Sequence, residues 1–395
     1  MKAYCIEAGC TLWNVYWNLY KEFDLVIPGG SCYSVGAGGH ITGGGYGLLS
    51  RKYGLTVDWL HAVEIVTVDK SGKAAPIIVT ADASAQDERD LLWSNQGGGG
   101  GNFGIVTRFF FRELPPAPPR AFVANLAWNW SDTTQEHFTT LVQRYGSFLQ
   151  QNSAPGSPFD GLFGLFHLTH QSASQFTLTV QYVGDARAPI DEFIDFMTGD
   201  GRAGKVVPQT HAVGRHFFPT RSNEVQTLPW LYATQTFDPS GPNQRGKYKS
   251  AYMIKPFPDA QIDTMWKWLT DASFHNPQAL VQVDSYGCRI NAVASDATAV
   301  AQRSSIMKLQ YQTYWTTEAE TDLNLGWIRD FYVAMYGEEG PLPDGTMDGC
   351  YVNYPDCDLR DWARLYYLGN YPRLQRTKAE WDPNDVFHHA QSVRV

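Results

Sequence analysis

Several features are scarce in this sequence of 395 residues. Charged side chains make up only 18% of it, the net charge is −9, and no cluster of Lys and Arg occurs. A nucleic-acid partner is therefore not expected. No run of about eighteen apolar residues is present, so no membrane span is predicted. The six cysteines show neither CxxC pairs nor metal-ligand spacing, so we predict no metal site and no disulfide framework.

Glycine, in contrast, is concentrated in one segment. Eight of the nineteen residues from Pro28 to Tyr46 are glycine, and the thiol of Cys32 and the imidazole of His40 lie among them. Glycine permits positive φ and lets backbone N–H groups approach a phosphate or a flat ring. The segment therefore predicts a site for a large anionic cofactor, to which Cys32 is able to bond. The alternative is a glycine-rich surface loop with a buried cysteine.

The length of the chain predicts two domains. Aromatic residues reach 14%, which suits a large core and a cleft for a flat or sugar-like ligand. The proline cluster Pro115–Pro119 interrupts both helix and strand patterns, and we place a domain boundary there.

The hydrophobic patterns indicate an α+β fold. Before the boundary, they indicate an amphipathic stretch over Leu12–Phe23, and they predict a hairpin from strands at 60–69 and 75–80, a helix over Asp87–Asn95 and a strand over Phe103–Phe111. After it, they predict strands over Phe122–Trp128, Phe176–Tyr182, Ala279–Val283 and Met307–Tyr314, and helices over Thr134–Gln150, Ala260–Asp271 and Glu318–Tyr336. Such alternation predicts a sheet covered by helices.

Five motifs, in order, resemble those of the berberine bridge enzyme-like FAD-linked oxidoreductases. They cover nearly the whole chain and lie at Gly29–Gly47, Arg51–Asp58, Gly97–Val106, Tyr351–Tyr354 and Asn370–Phe387. One departure is that Tyr33 follows Cys32, where the family usually has proline.

The resemblance implies a PCMH-type FAD-binding domain in residues 1–118, a substrate domain with an antiparallel sheet covered by helices in 119–365, and a C-terminal segment, 366–395, that returns to the FAD domain. The family's first FAD subdomain precedes the position of Met1, so the FAD domain is expected to be incomplete at its N-terminus. The chain thus resembles a fragment or a sequence with a misassigned start.

The resemblance also implies FAD, held covalently through Cys32. A second, histidyl link of the family falls in a loop that this chain does not contain. His40 is interpreted as a residue that structures the loop, and the small side chain of Val35 is typical of an oxidase. The other predicted contacts of FAD are Gly36, Gly38, Gly39, Gly43, Gly44, Gly45, Asn102, Phe103, Gly104, Val106 and Asn353.

For catalysis, the resemblance assigns the base to Tyr351 and its hydrogen-bond partner to Tyr46. Lys308 and Gln310 are two residues apart on one strand and so share a face; both match family positions beside the base. Lys308 is expected to stabilise a phenolate and Gln310 to orient the substrate, while Tyr252 resembles a further active-site tyrosine. The alternative is a lysine and a glutamine on a solvated strand face, with tyrosines packed in a core.

The predicted function is oxidation of an alcohol or sugar hydroxyl by hydride transfer to flavin N5, with dioxygen regenerating FAD and giving hydrogen peroxide. The expected partners are dioxygen and a small-molecule alcohol, sugar or glycosylated natural product. Alternatives are an inactive flavin- or sugar-binding relic, a dehydrogenase, or an oxidative cyclase of secondary metabolism. The sequence does not predict the compartment or the oligomeric state.

Overall fold

The computed structural model describes residues 3–210, 224–237 and 244–395, and the chain forms two compact units. The first unit comprises Met1–Ala117, Ile290–Arg303 and Tyr351–Val395, and the second comprises Pro118–Arg289 and Ser304–Cys350. In the described ranges, no helix combines the length and the apolar character needed to cross a membrane.

This division differs from the predicted domains in two segments, 290–303 and 351–365, which join the first unit. The first of these is bonded to that unit by side chains far away in the sequence. Arg303 donates to both carboxylate oxygens of Asp58, at 2.7 and 3.0 Å, and Trp93 Nε1 donates to the Asp296 carbonyl at 2.8 Å. These contacts link positions about two hundred residues apart, which local sequence patterns do not reveal.

The first unit contains a four-stranded antiparallel sheet with the order β1-β4-β2-β3. With elements numbered in chain order, its strands are β1 (Tyr4–Glu7), β2 (Ala62–Val68), β3 (Ala74–Thr80) and β4 (Ile105–Phe111). Its α-helices are α1 (Leu12–Phe23), α2 (Ala37–Thr42), α3 (Ser50–Tyr53), α4 (Gln86–Ser94), α10 (Trp362–Tyr367) and α11 (Tyr371–Trp381). The predicted β2–β3 hairpin is confirmed.

Helix α1 begins where its sequence pattern predicts. Thr11 caps it by accepting a hydrogen bond from the Asn14 backbone N–H, and the chain leaves it at Asp24 in the left-handed conformation. The interpretation of the glycine-rich segment around His40 as a loop is wrong in part, because residues 37–42 form the short helix α2. The many glycines hide this helix, since glycine is a poor helix former.

The second unit contains a seven-stranded antiparallel sheet with the order β8-β5-β7-β6-β10-β11-β9. Its strands are β5 (Arg120–Asn129), β6 (Leu162–Thr169), β7 (Gln175–Tyr182), β8 (Gln226–Pro229), β9 (Arg245–Met253), β10 (Leu280–Ser285) and β11 (Met307–Trp315). Its α-helices are α5 (Gln135–Asn152), α6 (Ala188–Thr198), α7 (Trp230–Thr236), α8 (Asp259–Leu269) and α9 (Thr321–Tyr336). The predicted α+β fold, with a sheet covered by helices, is confirmed.

The two faces of this sheet have different chemistry. On one face, Leu309 lies opposite Val283, which lies opposite Phe166; helix α5 packs there and donates from the Tyr145 hydroxyl to the Val283 carbonyl at 3.2 Å. The other face is polar over its central strands. It contains Lys308 and Gln310 of β11, Asp284 and Gln282 of β10, and His167 of β6. The strand period of two thus places these polar side chains together.

Candidate active site

The glycine-rich segment (residues 28–47) is fixed to the connection between β1 and α1 by backbone hydrogen bonds. Ala37 N–H donates to the Cys10 carbonyl at 2.7 Å, and Gly38 N–H donates to the Ala8 carbonyl at 3.0 Å. A Cβ on Gly38 would lie only 3.0 Å from that Ala8 oxygen. Glycine at this position therefore allows the start of α2 to lie against the preceding strand.

The two ends of this segment touch each other. A Cβ on Gly47 would lie 1.8 Å from the Gly29 carbonyl oxygen, so no other residue fits there. His40 Nε2 accepts a hydrogen bond from Gly30 N–H at 3.1 Å, and the Tyr16 hydroxyl donates to the Gly30 carbonyl at 2.6 Å. These bonds support the interpretation of His40 as a residue that structures the segment.

Other glycines of this region leave open space beside the backbone. Within the residues that the structure describes, a Cβ on Gly36, Gly39 or Gly101 would meet nothing within 4 Å beyond the adjoining backbone. Cys32 is half-buried close by in sequence, and Val35 is exposed. The predicted cofactor segment thus combines a thiol with a backbone that a ligand is able to approach.

Asn353 links this segment to the predicted base. Its Nδ2 donates to the Gly39 carbonyl at 2.9 Å and to the Tyr351 hydroxyl at 3.2 Å. A Cβ on Gly43 would lie 2.1 Å from the same Nδ2, so glycine there makes room for the amide. Burial raises the pKa of Tyr351 to about 12, while the hydrogen bond from Asn353 acts in the opposite direction. Four predicted site residues, Gly39, Gly43, Tyr351 and Asn353, are therefore brought together.

The side chain of Asn102 has partners within the protein. Its Nδ2 donates to the carbonyls of Gly98 and Gly99 at 3.0 and 3.3 Å, and its Oδ1 accepts from Val393 N–H at 2.9 Å. The structure thus places this amide between the glycines at 97–101 and Val393 near the C-terminus, and its expected contact with FAD stays a prediction. Sequence reasoning missed the contact with Val393 because it joins positions 291 residues apart.

Its neighbours Phe103, Gly104 and Val106 connect the run to β4. Phe103 is buried, Val106 is half-buried, and a Cβ on Gly104 would lie 2.5 Å from the Val66 carbonyl oxygen. These observations account for Phe103 and Gly104 by packing against the sheet.

In the second unit, Lys308 is almost fully buried, with its Nζ 3.9 Å from Asp284 Oδ2. The alternative of a lysine on a solvated strand face is therefore wrong. Gln310 is half-buried, and its Oε1 accepts a hydrogen bond from Gln312 Nε2 at 3.0 Å. Tyr252 lies opposite Lys308 on β9 and is also buried.

Sequence reasoning missed the partners of Lys308. Gln282 Nε2 donates to Asp284 Oδ1 at 2.7 Å, and Gln282 Oε1 lies 3.1 Å from His167 Nε2. Burial raises the pKa of Asp284 to about 6 against the opposing effect of Lys308. The alternation of polar and apolar residues at Gln282–Asp284 was the available signal, since it places both polar side chains on one face.

The first unit has one more predicted catalytic residue, Tyr46, which is 8% exposed in the glycine-rich segment. Residues Gly44 and Gly45, just before it, have φ of +117° and +74°, a conformation that favours glycine. The backbone that leads into Tyr46 is thus one that other residues adopt only with strain.

Comparison with known proteins gives matches over both ends of the chain and over its whole length. A family model described as FAD binding domain matches residues 2–74, and one described as Berberine and berberine like matches residues 350–394. Hexose oxidase of Chondrus crispus is 40% identical over 99% of this chain and 78% of that protein. Aclacinomycin-N/aclacinomycin-A oxidase of Streptomyces galilaeus is 40% identical over 100% of this chain and 73% of that protein.

A solved structure agrees with these matches. It is the crystal structure of GilR, an oxidoreductase that catalyses the terminal step of gilvocarcin biosynthesis, in complex with pregilvocarcin. This chain superposes on GilR with a TM-score of 0.91 at 33% identity, over all of this chain and 82% of GilR. Fold and sequence together thus define a flavoprotein with a PCMH-type FAD-binding domain. The chain belongs to the berberine bridge enzyme-like family of FAD-linked oxidoreductases and is an FAD-linked oxidase.

The residues of the first unit fit FAD. At Gly36 and Gly39 the space that a Cβ would occupy is open in the described part of the chain, and the half-buried thiol of Cys32 belongs to the same segment. The backbone N–H groups of glycines, which have no side chain to block a ligand, are suited to the pyrophosphate and to the polar edge of the ring. These three residues are the ones that would hold the cofactor, together with the amide of Asn353.

Proposed function

We propose that this oxidase acts on an alcohol or a sugar, removing the proton of a hydroxyl group and a hydride from the carbon that carries it. The overall reaction converts the hydroxyl compound and dioxygen into the carbonyl compound and hydrogen peroxide. When bound, FAD supplies the acceptor for the hydride and is reoxidised by dioxygen. The observation that carries the proposal is the hydrogen-bonded set of Tyr351, Asn353 and the Gly39 carbonyl.

In this proposal, Tyr351 accepts the proton of the substrate hydroxyl. A buried phenol with a pKa near 12 is a poor base at neutral pH, so a neighbouring charge must favour its ionised form. We assign that charge to Lys308 and a supporting hydrogen bond to Tyr46, as the family resemblance implies. A tyrosine base, rather than a carboxylate, also favours a hydroxyl substrate over an amine.

Gln310 and Tyr252 are proposed to orient the substrate. The amide of Gln310 is held through its Oε1 by Gln312, so its N–H groups stay available to oxygen atoms of a substrate. A sugar or a glycosylated natural product presents such oxygen atoms in fixed positions. The names of hexose oxidase and aclacinomycin oxidase support this class of substrate.

We further propose a thioether between Cys32 and FAD. Its formation removes the thiol hydrogen from Sγ and one hydrogen from the ring, and the two electrons pass to dioxygen, giving hydrogen peroxide. The matched control is Cys10, which is half-buried in the same unit and, like Cys32, is in no disulfide. Cys32→Ser and Cys10→Ser are to be purified and precipitated with acid. We expect flavin absorbance in the pellet of the wild type and of Cys10→Ser, but not of Cys32→Ser.

The function itself is tested by hydrogen peroxide release with a panel of hexoses, glycosylated aromatic compounds and simple allylic alcohols. Release with at least one hydroxyl compound, lost in Tyr351→Phe, is the expected result. If FAD is bound but no compound yields peroxide, while an artificial electron acceptor is reduced, the protein is a dehydrogenase. If neither dioxygen nor the artificial electron acceptor is reduced, the inactive relic is the correct interpretation.

A further inference from the structure

A chain of four polar side chains crosses three strands of the second unit. This polar chain consists of His167 on β6, Gln282 and Asp284 on β10, and Lys308 on β11. Successive contacts are 3.1 Å from His167 Nε2 to Gln282 Oε1, 2.7 Å from Gln282 Nε2 to Asp284 Oδ1, and 3.9 Å from Asp284 Oδ2 to Lys308 Nζ. His167 and Lys308 are each 1% exposed, so water does not readily replace these partners.

The direction of each hydrogen bond follows from the charges. An ionised carboxylate only accepts, so Gln282 must turn its Nε2 toward Asp284 and its Oε1 toward His167. His167 must then carry its proton on Nε2. Gln312 Nε2 donates to the same Gln282 oxygen at 3.3 Å and favours the same orientation. Burial lowers the pKa of His167 to about 4, so its ring is neutral in ordinary conditions.

We propose that His167 and Gln282 are positioning residues that keep Asp284 ionised and thereby keep the ammonium of Lys308 protonated. The inference rests on the proposed function, in which the positive charge of Lys308 favours the ionised base. It adds two positioning residues, on β10 and β6, that act through Asp284 and Lys308 and need not touch substrate or cofactor.

The physical reason is the cost of a buried charge. A buried ammonium without a carboxylate loses its proton more readily, and a buried carboxylate without a donor gains one more readily. Asp284 is already close to gaining a proton at neutral pH, since burial raises its pKa to about 6. The titratable groups beside it on this face of the sheet are Lys308 from β11, His167 from β6 and Tyr252 from β9.

The first test is independent of catalysis. The protein is labelled with ¹⁵N-histidine, and the His167 signals are assigned by their loss in His167→Gln. We expect the neutral ring with its proton on Nε2 from pH 8 down to about pH 5. A ring with its proton on Nδ1, or one that titrates near pH 6.5, would overturn the proposal.

The second test is the pH profile of kcat/KM in the FAD-loaded enzyme. Asp284→Asn is expected to move the alkaline limb, where Lys308 loses its proton, about one unit to lower pH. Gln282→Leu should move it in the same direction by less, and His167→Leu by less again. His167→Gln keeps a donor near the Gln282 oxygen and should restore the wild-type profile.

His170 provides the matched control, because it is a buried histidine of the same unit that bonds to Ser172 and to the Asp271 carbonyl instead. His170→Gln should leave the alkaline limb in place. A uniform loss of activity without a shift in Gln282→Leu and His167→Leu would show that the polar chain is only structural. If Lys308→Met keeps the alkaline limb, the proposed role of Lys308 fails, which is a separate outcome.

Discussion

The first unit holds its candidate residues on backbone that only glycine permits, whereas the second holds them on regular strands. Around Asn353, the absence of a side chain at Gly43 makes the contact with Tyr351 possible. Around Lys308, register alone places Asp284 opposite. The first arrangement is sensitive to added atoms, and the second to lost charge. Substitutions should therefore act by different physical routes in the two units.

The largest expected effect is at the proposed base. Tyr351→Phe removes the proton acceptor, and general base catalysis typically contributes about 100- to 10,000-fold, so we expect a loss of kcat in that range. Tyr20→Phe, on α1, is the control and should retain wild-type kcat. Both variants are to be checked for equal FAD content. A kcat within about twofold of the wild type in Tyr351→Phe would remove this residue from the mechanism.

A buried charge in the first unit breaks the simple contrast between the units. Lys378 Nζ lies 2.6 Å from Asp382 Oδ2, both side chains are fully buried, and the same Nζ donates to the Asn102 carbonyl at 2.9 Å. Lys378→Met leaves Asp382 with the N–H groups of Val386 and Phe387 but without its charged partner, and should destabilise the protein by about 3–5 kcal/mol. Chemical denaturation followed by circular dichroism measures this change.

The control for that experiment is the exposed pair of Arg187 and Asp191 in the second unit. Because solvent screens such a pair, Arg187→Met should leave the denaturation midpoint unchanged within error. Equal destabilisation by both substitutions would mean that burial does not determine the contribution of these ion pairs.

A third prediction tests the contact of Gly43 with Asn353. Gly43→Ala places a Cβ where the amide lies and should lower kcat up to about tenfold, the equivalent of one lost hydrogen bond. Asn353→Ala should cause a similar loss. The double variant should be no worse than either single variant, because both remove the same interaction. Additive losses would show that the two residues act independently.

Much of this organisation is predictable from the sequence. Period-two alternation placed Lys308 and Gln310 on one face, and the glycine-rich segment indicated a ligand site, because both signals are local. The contact of Asn353 with Gly39 was not predictable, since it joins positions 314 residues apart. Helix α2 was missed because glycine propensity opposes it, and the backbone bonds that fix it come from the connection between β1 and α1.

The smallest expected effect separates packing from cofactor contact at two adjacent glycines of α2. Gly38→Ala places a Cβ 3.0 Å from the Ala8 carbonyl, so the protein without FAD should unfold at a lower temperature. Gly39→Ala meets no protein atom within 4 Å, and alanine favours the helix by up to about 1 kcal/mol, so its unfolding temperature should stay equal or rise slightly. FAD content should nevertheless fall in Gly39→Ala, because the added methyl group occupies space that the cofactor needs. Full FAD loading of Gly39→Ala would place the cofactor elsewhere along the segment.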